Sequence, residues 1–160
     1  MKNLTDVRLS IKSYLKSSDQ PFEFNKKKAV FKFSTDANSE IKKLIYYIFL
    51  TDEGYCIVTD FDLKITKETA GVLSMYLHRI NYYLYYGSFV LDFNNRQVYC
   101  QNFTNCIGII PSRKMIEESI LSIKEQIDKF GDIIVGITKG RNPSEEYFEK
   151  LLAEELEKEY

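Results

Sequence analysis

Tryptophan is absent from these 160 residues, and histidine occurs only once, as His78. The three cysteines, Cys56, Cys100 and Cys106, are an odd number with no Cys-x-x-Cys pair. That excludes a closed disulfide framework and fits small apolar residues in a reducing compartment. A structural zinc would want four ligands, and a single histidine with no Cys-x-x-Cys pair argues against one. The formal charge of −1 offers no case for nucleic acid or for an anionic membrane as partner. The longest apolar run, Leu44–Leu50, is too short to span a bilayer. Met1-Lys2-Asn3-Leu4-Thr5-Asp6 lacks the apolar core of a secretion signal, so a cytoplasmic location is expected. Low-complexity tracts, internal repeats and linkers are all missing.

What is present is an ordinary globular balance, 44% hydrophobic and 28% charged, with an unusual aromatic load of 12 Tyr and 11 Phe. A chain of this length buries a core without metal or disulfide staples, so a single domain over 1–160 is expected. Tyrosine buries its ring but needs a partner or water at its hydroxyl, which favours half-buried boundaries and contact surfaces. Charge is unevenly spread: residues 145–160 hold seven Glu and two Lys. Such a tail is most simply a solvated helix, with a decoy anion for a basic patch as the alternative.

Leu4, Val7, Ile11, Tyr14 and Leu15 recur at helical spacing until Ser17–Pro21 stops them. Phe22–Phe24 and Val30–Phe33 alternate around a lysine-rich turn that discourages edge pairing. Leu44–Leu50 is apolar on both alternating sets, which predicts a strand covered on both faces. Tyr55–Thr59 predicts another. Ser88–Phe93 and Gln97–Gln101 flank Asn94-Asn95, a good tight turn. Ser112 caps a helix whose apolar face runs from Ile116 to Phe130 and which Gly131 is expected to end. Ile133–Ile137 fits helix or strand. Ser144 caps a last, Glu-rich helix.

Between Thr66 and Tyr86 the pattern predicts a helix with two uncharged faces. Val72, Leu73, Tyr76, Leu77, Ile80, Tyr83 and Leu84 form the core face. Gly71, Ser74, Met75, His78, Tyr82, Tyr85 and Tyr86 form the far face, where a helix at the edge of a domain should carry charge. Either another element of the chain, such as the C-terminal helix, covers that side, or it is a surface for self-association or a partner. Tyr and Met are enriched at interface cores, and Gly71 permits close approach. The candidate partner-binding residues are therefore Met75, His78, Tyr82, Tyr85 and Tyr86.

Local motifs for chemistry are absent. Asp60-Phe61-Asp62 is a minimal arrangement for a hard cation but lacks a third acidic ligand nearby. Gly131, Gly136 and Gly140 match neither phosphate-loop pattern. His78 has no neighbouring acid or nucleophile. The reading is a non-enzyme with no cofactor and no metal. A site dispersed over Asp60, Asp62 and His78 would be the enzymatic rival. A small-molecule-sensing module, with a pocket between sheet and helices, is the stronger alternative.

The element order is helix, three or four strands, helix, two strands, helix, with a further C-terminal helix. It is similar to the type III secretion chaperone-like fold. Within that group the chain resembles the YbjN family of bacterial proteins, described as sensory-transduction regulators. The resemblance rests on His78-Arg79-Ile80-Asn81 through Gly87-Ser88-Phe89-Val90-Leu91-Asp92, and on Gly140-Arg141-Asn142-Pro143-Ser144-Glu145-Glu146. It implies an α+β fold in which a twisted antiparallel sheet is flanked by helices. It also implies a cytoplasmic homodimer that binds a protein client or acts as a regulator, with no catalytic residues to carry over. The tyrosine load and the added C-terminal helix depart from the chaperone pattern.

Overall fold

The computed structural model describes residues 2–37 and 39–158. Helix α1 (Lys2–Ser17) leads into strands β1 (Glu23–Asn25), β2 (Val30–Asp36), β3 (Lys43–Leu50) and β4 (Gly54–Lys64). Helix α2 (Lys67–Tyr83) follows, then β5 (Ser88–Asp92), β6 (Gln97–Asn105), α3 (Arg113–Thr138) and α4 (Glu145–Glu157). All six strands join one antiparallel sheet in the order β1-β2-β3-β4-β6-β5. The class is α+β, with the expected element order and four strands before α2.

Alternation along the strands separates two faces. Phe31, Phe33, Leu44, Tyr46, Ile48, Tyr55, Ile57, Phe61, Val98 and Cys100 point to one of them and are buried. Val7, Ile11 and Leu15 of α1, Leu73, Leu77 and Ile80 of α2, and Ile116 through Ile137 of α3 close over that face in one core cluster. Tyr55 ties sheet to helix through its hydroxyl, 3.0 Å from Ser119 Oγ. Burial pushes the phenol of Tyr55 upward and that of Tyr46 up to about 12.

Two expectations are corrected. The second face of β3 is not covered by any described helix: Ile45 and Tyr47 are half-buried and Phe49 is exposed. Its apolar outward set therefore has no second layer of this chain packed on it among the described residues. Nor does Gly131 end a helix. Helix α3 continues to Thr138, making Ile133–Ile137 helical and buried on every side. The reason is packing: a Cβ on Gly131 would lie 3.0 Å from Ile41 Cδ1, so the glycine lets the β2–β3 connection rest on the helix. Asp132 accepts from the Glu40 amide at 2.9 Å, and Glu40 pairs with Lys139 and Arg141 to hold the same connection. The two cations hold the Glu40 carboxyl below its ordinary range, chiefly through their hydrogen bonds.

Candidate interaction surface

Thr66 caps α2, its side chain accepting from the Thr69 amide at 3.2 Å. From there Ala70, Leu73, Leu77 and Ile80 take the helix into the core at spacings of three and four residues. This stripe is narrower than the seven-residue face expected. Tyr76, Tyr83 and Leu84 are half-buried, and Val72 is 40% exposed. Helix α2 also stops at Tyr83, so Tyr85 and Tyr86 stand in the connection to β5 rather than on the helix.

Asn81 anchors the end of the helix. Its carboxamide donates to the Phe89 carbonyl and accepts from the Phe89 amide, both at 2.8 Å. Gly87 makes the turn back into β5 with φ +75°, where a Cβ would strike the Gln101 carbonyl oxygen at 2.6 Å. Gln126 of α3 donates to the Tyr86 carbonyl, and its own side-chain oxygen lies 3.4 Å from the buried Cys100 thiol. The Tyr85–Tyr86 segment is thus pinned by its backbone while its side chains stay outside.

Met75 is 69% exposed, Tyr82 80%, Tyr85 75% and Tyr86 67%. His78 is exposed between Met75 and Tyr82. Tyr82 packs edge-on against Tyr83 and Tyr85 against Tyr86, with ring centroids 5.1 and 4.9 Å apart. Helix α4 does pack on α2, but beside this surface rather than over it. Tyr76 meets Phe148 edge-on at 5.0 Å, and Arg79 lies over the Phe148 ring while pairing with Glu145 and Glu149. The Arg79 hydrogen bond holds the Glu145 carboxyl below its ordinary range. The acidic tail is docked, not simply solvated: Lys129 binds Glu155 at 2.6 Å and Glu154 at 3.4 Å. Glu159, counted in that tail, lies outside the described residues.

Two hollows border the tyrosines. A groove of about 210 Å³ between α2 and α4 is lined by His78, Arg79, Tyr82, Tyr83, Glu149 and Leu152. A cleft of about 490 Å³ is lined by Tyr83, Tyr85, Tyr86, Ser122, Gln126 and, from the end of the chain's last helix, Glu155 and the capping Lys158. That cleft lies among helices rather than between sheet and helices.

The structure separates the dispersed acid–base set. Asp60 is on the helix-free face of β4, whereas His78 is on the outside of α2, in the layer covering the other face. Asp62 does not continue an extended strand. Its φ is +52°, its amide donates to Asp60 Oδ1 at 2.9 Å, and the β4–β6 register shifts there. Among the described residues no cluster of three or more His, Cys, Asp or Glu could hold a metal ion. No described helix is long and apolar enough to cross a membrane.

Two apolar surfaces escaped the reading of the sequence. One is the outer sheet face, with Phe49 and Phe103; the other is the loop after β6, where Ile107, Ile109 and Ile110 are exposed. The signal for the first was the doubly apolar β3. For the second it was three isoleucines between a buried Cys106 and Pro111.

By class this is an α+β protein, an open-faced antiparallel sheet with a layer of helices on one side. No family model, curated protein or solved structure matches the chain.

Proposed function

We propose that the chain is a non-enzymatic protein–protein interaction domain, regulatory or chaperone-like, and a cytoplasmic homodimer of the YbjN type. Its contact surface for a partner is formed by Met75, His78, Tyr82, Tyr85 and Tyr86. The observation that carries the reading is the exposure of four large apolar or aromatic side chains beside a pinned backbone. Rigid aromatic side chains already held outside lose little conformational freedom on binding. Selection of a displayed random-peptide library on the purified protein tests it. A consensus peptide should emerge, and Tyr82→Ser with Tyr85→Ser should abolish its binding while thermal unfolding stays cooperative. Failure to enrich a consensus, binding that survives the double change, or outright unfolding of that variant would each refute the reading.

The cleft beside Tyr85 and Tyr86 favours a second reading, a small-molecule sensor, because its size and its mix of aromatic and polar walls fit a ligand site. A thermal-shift screen of metabolites and nucleotides should then show stabilisation by at least one compound class. No shift across the screen removes that reading.

A further inference from the structure

Helices α2 and α4 run side by side in the same direction. Tyr76 and Arg79 of α2 meet Phe148 and Glu145 in the first turns of α4, and Tyr83 and Leu152 share a groove further along. Both helices therefore end at one place, the cleft that Tyr83 borders from α2 and Glu155 and Lys158 border from α4. The carbonyl end of a helix carries roughly half a negative charge and favours a cation. Neither helix has a basic residue in its last turn, and Lys158, the cap of α4, pairs with Glu155 at 3.3 Å. Glu125 of α3 adds an exposed carboxylate to the wall, with no ion-pair partner among the described residues. Lys129, one turn along α3, is turned to Glu154 and Glu155 instead.

We propose, building on the sensor reading of this cleft, that it binds a quaternary ammonium group, with Glu125 as counter-ion and the Tyr85 and Tyr86 rings as walls. Those two rings cross edge to face at 76°, which gives the cleft two aromatic planes nearly at right angles. Aromatic faces attract cations, and a weakly hydrated one gives up least water on entering. Hydrogen bonding selects the kind of cation. Phenols aside, the uncharged polar groups of the wall are already engaged. Gln126 donates to the Tyr86 carbonyl and faces the Cys100 thiol, while Ser122 donates to the Ser119 carbonyl and accepts from Asn102. A primary ammonium or a guanidinium brings three or five N–H donors that need acceptors. A quaternary ammonium brings none and asks only for charge and ring faces. An anion would meet two helix carbonyl ends and Glu125, with Lys158 already committed to Glu155. The head group can come from a free small molecule or from a trimethylated lysine of a protein partner.

Calorimetric titration of the full chain with three matched probes tests it: choline, ethanolamine and dimethylbutanol, the uncharged carbon isostere of choline. Choline should bind about ten-fold more tightly than either of the others. Glu125→Gln and Tyr86→Leu should each weaken choline about ten-fold, while Tyr86→Phe, which keeps the ring, should hold it within about two-fold. Both positions are exposed and Tyr86 is held through its backbone, so circular dichroism should show every variant folded. A blocked peptide carrying one trimethyl-lysine separates the sources. Binding about ten-fold tighter than choline assigns the head group to a partner chain, and weaker binding assigns it to a free molecule; both support the proposal. Ethanolamine or dimethylbutanol binding as well as choline overturns it, as does choline binding that survives Glu125→Gln and Tyr86→Leu together. If choline and the peptide fail to bind while another compound class stabilises the protein in the thermal-shift screen, the quaternary ammonium is wrong and the sensor reading stands. If nothing binds, both fall.

Discussion

Asn81 holds two backbone atoms with one side chain. Its two 2.8 Å bonds satisfy the amide and carbonyl of Phe89 on a strand that has a neighbour on one side only. Replacement by Ala leaves both groups without that partner close to the core. The expected cost is about 2 kcal/mol, read as a lower urea midpoint at unchanged slope. Gly87 belongs to the same device, since its positive φ and its approach to Gln101 leave no room for a side chain. Both residues lie in the stretch on which the proposed likeness to YbjN proteins rests, and their work there is conformational. The asparagine closes the helix onto the strand, and the glycine turns the chain between them. No reacting group is required at either position.

Helix α3 shows where element boundaries were legible and where they were not. Ser112 as cap and the Ile116–Phe130 face follow directly from spacing, and the structure agrees, with the Ser112 side chain accepting from Met115 at 3.2 Å. Gly131 misleads because a glycine that stops a helix and one that admits a neighbouring loop look alike in one dimension. Only the contact with Ile41 tells them apart. Gly131→Ala should therefore stay within about 1 kcal/mol of the parent, helix propensity offsetting the tight contact. Gly131→Leu should cost roughly 2 kcal/mol or more by overpacking, and thermal melts of the pair distinguish loop docking from helix termination. Helix α2 was legible in its core stripe and in its uncharged far side. Its end at Tyr83 was not, because Leu84, Tyr85 and Tyr86 prolong the apolar pattern past the Asn81 clamp. Strand β3 advertised two apolar faces, and the helices pack on only the one that carries Leu44, Tyr46 and Ile48.

At the scale of the whole molecule, the sheet's helix side is closed by phenols as well as by aliphatic chains. Tyr46 and Tyr55 are both buried, and burial raises both pKa values, that of Tyr46 to about 12 from 10. The folded protein therefore holds these protons more tightly than the unfolded chain. The stability this confers is fully present below pH 10 and is lost as pH rises through about 12, with Tyr46 alone accounting for roughly 3 kcal/mol. Urea titrations at stepped alkaline pH should show the midpoint falling across that window, and Tyr46→Phe should flatten the fall. The rims of the sheet have a different consequence. At one rim β1 is only three residues long, beside the Lys26-Lys27-Lys28 turn; at the other, Asn81 occupies the Phe89 backbone groups. With one border short and the other partly occupied, the route by which sheet proteins drift into fibrils, strand added to strand without end, is obstructed at both rims.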